Sequence, residues 1–275
     1  MTKFAVLVSF LTALLASVVP PSAAMAWAPP SQATVHPGVQ VFTEGAQCTS
    51  NFVFDDGSSV YLGQAAHCSG TGGQTETDGC SSASLPLGTP VQISGASKPG
   101  ALVYNSWLTM QANGEANPDT CAYNDLALIK IDPADVGRVN PSIPGFGGPT
   151  GIGSAGGLGS TAYSYGNSEL RGGITKLSPK QGIVVQNEGN GWSHIVVTLT
   201  PGIPGDSGSG FINGSGQAVG VLSTLQLAPL AGTNGVGDIG MELAYMRANS
   251  SFSAVQLVRG TQPFKANLVE AILGS

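Results

Sequence analysis

The sequence has 275 residues, of which 41% are hydrophobic and only 9% are charged, and its formal net charge is −6. This apolar content is too high for a disordered chain, and the length is sufficient to bury a sizeable core. The 40 glycines and 18 prolines, together with many short apolar runs, are typical of an all-β protein with many turns. Because phosphate binding needs clustered lysine and arginine, neither nucleic acid nor an anionic membrane surface is an expected partner.

Residues 1–26 have the pattern of an export signal. Lys3 supplies a positively charged start, residues 4–19 form an apolar run, and an A-x-A cleavage site ends at Ala26. A retained membrane anchor is the alternative, but the apolar run is short for a membrane span and two prolines end it. We therefore expect cleavage near Ala26 and a secreted, extracellular chain with no stable membrane anchor.

Short strands are predicted after an extended, proline-containing N-terminal arm over residues 27–38. The clearest hairpin joins residues 51–54 to residues 59–62. The apolar run 126–131 suits a buried strand. Gly/Ser/Thr-rich residues 69–90 predict a long surface loop. Further strands are expected over residues 91–93, 101–104, 182–185, 194–199, 216–223 and 254–258.

The last third of the chain also predicts helical structure. Residues 241–247 favour either a short helix or a strand. Residues 267–273 place apolar side chains at helical spacing and predict a terminal amphipathic helix. Residues 137–160 are rich in glycine and proline, which predicts a linker between two halves of the molecule rather than a helix.

A glycine-flanked serine is the first candidate for chemistry. Ser207 lies between Gly205-Asp206 and Gly208, in a run with little side-chain bulk. Backbone N–H groups in such a run can face a cavity and stabilise the oxyanion of an acyl-transfer intermediate. A Gly/Ser surface turn is the alternative reading of the same residues.

A nucleophilic serine needs a base, and the sequence offers three histidines. We expect His36, in the proline-containing arm, to be exposed and without a role. His194 begins a predicted strand, and we expect its role to be structural. His67 ends an apolar strand and precedes Cys68, which makes it the best candidate for the base.

Three segments resemble the signature segments of the chymotrypsin/trypsin-like serine proteases. They are residues 65–68 (Ala-Ala-His-Cys), 124–129 (Asn-Asp-Leu-Ala-Leu-Ile) and 205–208 (Gly-Asp-Ser-Gly). They occur in the order His, Asp, Ser that is typical of this family, whereas unrelated serine hydrolases use other orders. Residues 45–49 (Gly-Ala-Gln-Cys-Thr) look more like the secreted bacterial branch, and the resemblance covers roughly residues 38–260.

The resemblance implies a catalytic role for each matching residue. Ser207 would be the nucleophile, His67 the general base and then the acid, and Asp125 the group that orients the imidazole. The backbone N–H groups of Gly205 and Ser207 would form the oxyanion hole. Asp206 is expected to be a buried structural carboxylate, and Arg171 is a candidate partner for it.

Four cysteines in an exported chain are expected to form disulfides, and three pairings are possible. The resemblance implies a bond between Cys48 and Cys68, which leaves Cys80 and Cys121 to pair with each other. A metal site is the alternative, but the sequence has no closely spaced Cys/His ligand set. We therefore expect neither a metal nor another cofactor.

The family fold implies two six-stranded antiparallel β-barrels with the catalytic cleft between them and a C-terminal helix. Mapped onto this chain, residues 39–136 would form the first barrel and residues 137–160 the glycine-rich crossover linker. Residues 161–275 would form the second barrel and the terminal helix.

The substrate pocket is expected to have its floor in residues 200–204, including Pro201 and Gly202. Since this segment contains no acid, a trypsin-like preference for lysine or arginine is not indicated. The walls are expected from Ser223, Thr224 and Leu225, and Asp238 is a further pocket candidate that would favour a basic side chain. We predict a preference for a small or apolar residue before the cleaved bond.

These features together predict a secreted, monomeric serine endopeptidase that hydrolyses protein or peptide substrates through an acyl-enzyme. One alternative is a catalytically inactive, protease-like binding protein or adhesin. A second is an esterase that acts on non-peptide substrates.

Overall fold

The computed structural model describes residues 26–73, 77–226 and 232–274, so all of the predicted export signal except Ala26 lies outside the described residues. Two antiparallel sheets account for most of the described structure, and short helices lie around them. None of the helices in the described ranges has the length and hydrophobicity that a membrane span requires.

The first sheet has eight strands and includes one strand from near the C-terminus. In chain order these are β1 (Gln40–Thr43), β2 (Ala46–Thr49), β3 (Val53–Asp55), β4 (Val60–Ala65), β5 (Pro90–Ile93), β6 (Gly100–Asn105), β7 (Leu126–Lys130) and β14 (Gln256–Leu257). Their order in the sheet is β14-β3-β4-β7-β6-β5-β1-β2.

The centre of this sheet is the antiparallel pair β4 and β7. All six residues of β4 are buried, as are the first four of β7, which explains why both segments are nearly continuous apolar runs. Ala65 pairs with Leu126 in the register. The turn after β4, which contains His67, and Asp125, the residue before β7, therefore lie at the same end of the sheet.

The second sheet is a closed six-stranded barrel. Its strands are β8 (Thr161–Tyr165), β9 (Pro179–Glu188), β10 (Ser193–Thr198), β11 (Gly210–Asn213), β12 (Ala218–Gln226) and β13 (Thr233–Asp238), in the order β10-β13-β12-β11-β8-β9. A separate apolar cluster that includes Phe211, Leu222 and Val236 fills the barrel. The loop between β10 and β11 carries Ser207.

The predicted all-β fold with a C-terminal helix is confirmed, and the barrel in the second half has the predicted six strands. The first half differs, because it is an eight-stranded sheet rather than a six-stranded barrel. One of its strands, β14, comes from near the C-terminus and pairs with β3 through Gln256–Asp55 and Leu257–Phe54. This pairing covers backbone groups of β3 that would otherwise form an open sheet edge.

Two helices were missed by the sequence analysis, α1 (Ser106–Asn113) and α2 (Pro118–Tyr123). Each follows an asparagine, Asn105 or Asn117, whose side chain accepts backbone N–H groups of the first turn. The Asn-Pro pair at residues 117–118 is a recognisable helix start.

The two predicted C-terminal helical segments both form helices. The segment predicted as helix or strand is part of α3 (Ile239–Asn249), which begins after the N-cap Asp238. The predicted terminal helix is α4 (Leu268–Leu273), and Asn267 caps it.

The N-terminal arm is packed against the rest of the molecule. Val35 is fully buried and pairs with Val139, and the N–H of Ala28 donates to the Val139 carbonyl. The expected exposure of His36 is wrong. Its neighbours Val35 and Pro37 are buried in the packed arm, and His36 itself is partly buried. Burial lowers the pKa of His36, although its Nδ1 lies 2.8 Å from the carbonyl oxygen of Pro37.

Two disulfide bonds pair the four cysteines as the resemblance implies. Cys48 on β2 is bonded to Cys68 in the turn after β4, and this bond lies directly beside His67. Cys80 in the long loop is bonded to Cys121 on α2, four residues before Asp125. Both bonds therefore support segments that carry candidate site residues.

Candidate active site

His67 and Asp125 form a hydrogen-bonded pair at the end of β4 and β7. The imidazole Nδ1 lies 2.7 Å from Asp125 Oδ2, and the backbone N–H of His67 donates to Oδ1 over 2.8 Å. The Ser223 hydroxyl donates to Oδ2 over 2.6 Å. With Nδ1–H directed at the carboxylate, the second ring nitrogen, Nε2, is left as a proton acceptor.

The charge state of His67 depends on Asp125. Burial disfavours the imidazolium, but the charge of Asp125 and its hydrogen bond outweigh this effect, so the pKa of His67 is raised. The His67 side chain is 23% exposed while that of Asp125 is 4% exposed. The imidazole is therefore partly open to solvent, whereas the carboxylate that orients it is buried.

The serine loop approaches this pair through close backbone contacts. The carbonyl of Ser207 accepts the Thr49 N–H over 2.8 Å, and the Gly208 N–H donates to the Leu222 carbonyl over 2.7 Å. Gly208 has φ +86°, and a Cβ there would lie 2.9 Å from the nitrogen of Ala65. Only glycine allows this approach, which brings Ser207 to the end of β4 that leads into His67.

The hydroxyl of Ser207 forms no hydrogen bond with the His67 ring within residues 26–73, 77–226 and 232–274. Catalytic hydrogen bonds are often long in a ligand-free enzyme and shorten when substrate binds. Within the described ranges, the hydrogen bond between candidate triad side chains is the one that joins His67 to Asp125.

Two backbone N–H groups of the serine loop are candidate oxyanion donors. Across the described part of the chain, the N–H groups of Gly205 and Ser207 have no acceptor, whereas that of Asp206 donates to Ile203. The preceding carbonyl, of Pro204, accepts the Ser168 hydroxyl over 2.5 Å. Since C=O and N–H point in opposite directions across a trans peptide, this bond turns the Gly205 N–H away from Ser168.

Asp206 anchors the same loop from beneath. It is fully buried, and its Oδ2 lies 2.5 Å from Arg171 Nη2 and 3.0 Å from Lys180 Nζ. Arg171 was the predicted candidate for this pairing, and the pairing is confirmed. Backbone N–H groups of Ile203 and Ser168 also donate to the carboxylate.

Lys180 is a partner of Asp206 that the sequence analysis missed. Its Nζ donates to the Pro201 carbonyl over 2.9 Å, so one buried cation joins Asp206 to residue 201. Burial lowers the pKa of Lys180, with Asp206 acting in the opposite direction. A lone lysine two residues before a predicted strand gives little indication of such a position.

The predicted pocket residues fall into two groups. Gly202 is buried against Leu225 and Asn234, and a Cβ on Gly202 would lie 2.5 Å from Leu225 Cδ2. Thr224 packs against Gly235, because a Cβ on Gly235 would lie 2.2 Å from Thr224 Oγ1. Pro201 is exposed. Gly202, which follows the end of β10 and is close in sequence to the serine loop, thus packs against Leu225.

Ser223 and Asp238 have other contacts. The Ser223 hydroxyl is directed at Asp125. Asp238 caps α3 by accepting the Met241 N–H over 2.9 Å, and its other oxygen lies 3.0 Å from His194 Nε2. His194 is also held by Asn187 Oδ1 at 2.8 Å. These contacts fit the structural role expected for His194.

The histidine, cysteine and acidic groups that approach one another closely are Cys48–His67–Cys68 and Asp78–Cys80–Cys121, among the described residues. Both groups contain sulfur atoms that are already joined in disulfide bonds. These sulfurs cannot supply the thiolates that bind a metal ion.

Comparison with solved structures identifies the fold. The structure resembles protease A of Thermobifida fusca with a TM-score of 0.53 and 20% sequence identity, covering 83% of this chain and 100% of that one. It resembles Cellulomonas bogoriensis chymotrypsin with a TM-score of 0.50 and 16% identity, covering 82% of this chain and 98% of that one. The chain therefore has the chymotrypsin fold.

The sequence itself has no recognised relatives in the other two comparisons. No protein-family model matches it, and no curated protein matches it.

The buried charge cluster around Asp206 generates a stability prediction. Asp206→Asn would leave Arg171 and Lys180 buried without a countercharge, and removing one partner of a buried pair costs about 3–5 kcal/mol. The matched control is Asp132→Asn, which removes the partially exposed partner of Lys98 and should cost about 1 kcal/mol or less. Denaturant unfolding measures both variants, and equal losses would contradict this account of the loop.

Proposed function

We propose that this chain is a serine endopeptidase that uses Ser207, His67 and Asp125 as a catalytic triad. The observation that carries the proposal is the His67–Asp125 pair, with Nδ1 and Oδ2 separated by 2.7 Å. It lies at the end of the first sheet, where the serine loop of the second sheet approaches. A buried carboxylate, an imidazole open to the cleft and a glycine-flanked serine are the parts that acyl transfer to a serine needs.

The proposed reaction begins at the hydroxyl of Ser207. Its oxygen attacks the substrate carbonyl carbon while His67 Nε2 takes the hydroxyl proton. The tetrahedral intermediate then expels the amine, which receives that proton from His67, and an acyl-enzyme remains. Water then attacks the ester carbonyl while His67 takes a proton from it. The second tetrahedral intermediate expels the Ser207 oxygen, which receives that proton from His67, and the acid product leaves.

The negative oxygen of each intermediate would be stabilised by the N–H groups of Gly205 and Ser207. Support comes from the hydrogen bonds of the loop, which leave these two donors without acceptors in the described residues. The Ser168 hydroxyl supports the arrangement by binding the Pro204 carbonyl. Donors that are oriented before the reaction need no reorganisation when charge develops.

The substrate preference that we propose is a small or apolar residue before the cleaved bond. Leu225 and Asn234 leave no room for a side chain on Gly202. A pocket narrowed by these two side chains would accept a short substrate side chain. Residues 200–204 contain no acid, and the oxygens of Asp238 are engaged by Met241 and His194. We therefore assign Asp238 a structural role rather than a place in the pocket.

We propose that the enzyme is secreted and acts on protein or peptide substrates outside the cell. Two disulfide bonds fit an oxidising compartment, where such bonds form and persist. The export-signal pattern of residues 1–26 supports the same location. We further propose that the chain acts as a monomer.

Covalent labelling tests the triad directly. A fluorophosphonate should modify the wild-type protein at Ser207, and Ser207→Ala should abolish the modification because the attacking oxygen is gone. Mass spectrometry of the digested protein locates the adduct. A folded wild-type protein that takes up no label would instead support the inactive binding protein, and turnover of small esters without casein cleavage would support the esterase.

The pH dependence of labelling tests the role of His67. Because only the neutral imidazole can accept the serine proton, the labelling rate should rise with pH through the raised pKa of His67. Its midpoint should lie above about 6.5, the value of an ordinary histidine. Asp125→Asn should lower this midpoint and reduce the rate by about 10⁴-fold. A rate that is independent of pH between about 5 and 9 would contradict this role.

A peptide-library cleavage profile tests the pocket. Wild-type enzyme should cleave after small or apolar residues, and Leu225→Gly should extend the profile to larger side chains by opening the space beside Gly202. Leu158→Gly is the matched control, since Leu158 is exposed and far along the chain from these residues. Cleavage by the wild type mainly after lysine or arginine would contradict the proposed pocket.

A further inference from the structure

A second buried carboxyl group lies behind Asp125. Glu242 is on α3, is fully buried, and accepts the backbone N–H of Asp125 at its Oε1 over 3.0 Å. A helix that follows the barrel thus holds the backbone of the residue that precedes β7 of the first sheet, 117 positions away in sequence. The mechanism proposed above assigns Glu242 no task.

The surroundings of Glu242 leave half of its carboxyl group without a partner. Its Oε2 is buried and makes no hydrogen bond in the described part of the chain. Gly237 lies alongside, and a Cβ there would be 2.7 Å from Glu242 Oε1 and 3.1 Å from the Tyr123 carbonyl. The absence of a side chain at residue 237 therefore leaves room for the carboxyl group to reach Asp125.

The titratable groups that face Glu242 are acidic or phenolic. Asp125 precedes β7, Asp238 ends β13 and Tyr104 lies on β6, and each of these three groups interacts electrostatically with Glu242. Tyr245 is on the same helix as Glu242. The α1 and β12 segments contain no titratable side chain, and Lys130, the one cation of β7, is exposed at that strand's far end.

This environment determines the charge of Glu242. No salt bridge includes Glu242 among the residues that the structure describes. A buried carboxylate without a cation is costly, and the group takes up a proton instead. Burial raises the pKa of Glu242 well above its ordinary value, the hydrogen bond from Asp125 opposes this, and the nearby carboxylates add to the increase.

We propose that Glu242 is a positioning residue that stays protonated and neutral while it holds the backbone of Asp125 for the triad. This inference rests on the proposed peptidase function. A neutral acid provides a hydrogen-bond acceptor for the Asp125 N–H and adds no second negative charge beside the first. The triad then keeps a single carboxylate charge, that of Asp125, to stabilise the imidazolium of His67.

Two substitutions separate this role from alternatives. Glu242→Gln keeps the acceptor oxygen and the neutral state. Its kcat and KM should therefore stay within about two- to threefold of the wild-type values, and the pH midpoint of labelling should not shift. Glu242→Ala removes the acceptor, and the resulting displacement of Asp125 should lower kcat by up to about 10²-fold with little change in KM. Glu44→Gln, in the exposed turn between β1 and β2, is the matched control.

The results that would overturn the inference are specific. If Glu242 were ionised, Glu242→Gln would remove a negative charge and shift the labelling midpoint to lower pH. If its role were only to stabilise the fold, Glu242→Ala would unfold more easily but keep wild-type kcat. Should the alanine variant fail to fold, Glu242→Met fills the space without an acceptor and must show the same loss of kcat.

An infrared measurement does not depend on activity. The Ser207→Ala protein at neutral pH should show the carbonyl band of a protonated carboxylic acid, and adding Glu242→Gln should remove that band. Absence of the band in the first protein overturns the neutral state of Glu242 even if the enzyme is active. A wild-type protein that shows the band but takes up no fluorophosphonate would contradict the proposed function and leave the charge state of Glu242 established.

Discussion

The buried carboxylate of Asp125 is the group on which the rest of the site depends. It receives hydrogen bonds from the ring and the backbone of His67 and from the hydroxyl of Ser223, so both sheets contribute to its environment. A carboxylate that is removed from water needs several such donors to remain ionised. Each donor is useful for a second reason. The ring bond selects the imidazole tautomer, and the Ser223 bond joins β12 of the barrel to the first sheet.

A second buried carboxylate, that of Asp206, holds the serine loop. Asp206 is fully buried between Arg171 and Lys180, and Lys180 also holds the carbonyl of Pro201. The loop is thereby fixed at two points on either side of Gly202. The orientation of its backbone follows from these side-chain contacts and from the Ser168 hydroxyl on the Pro204 carbonyl. The backbone position of the two candidate oxyanion donors thus depends on Arg171, Lys180 and Ser168, which lie outside the 205–208 segment.

The sequence predicted the parts of the molecule that have local signals. Alternating and continuous apolar runs indicated strands, and the segment around Ser207 indicated a glycine-rich turn. The resemblance implied the cysteine pairs. Ser223 was predicted for the pocket wall and not as a partner of Asp125, and Lys180 and Glu242 were not recognised as site residues. Each of the three acts on a residue distant in sequence, and none has a local pattern. The pairing of β14 with β3 was missed for the same reason, since a two-residue strand has no periodicity.

The most direct measurement is a crystal structure of the protein after reaction with a phosphonate that mimics the tetrahedral intermediate. This account predicts phosphorus bonded to the oxygen of Ser207 and a phosphonyl oxygen about 2.7–3.1 Å from the nitrogens of Gly205 and Ser207. It also predicts that Nε2 of His67 faces the leaving-group position while Nδ1 stays on Asp125. An unmodified Ser207, or an adduct whose oxygen points away from both nitrogens, would contradict the account.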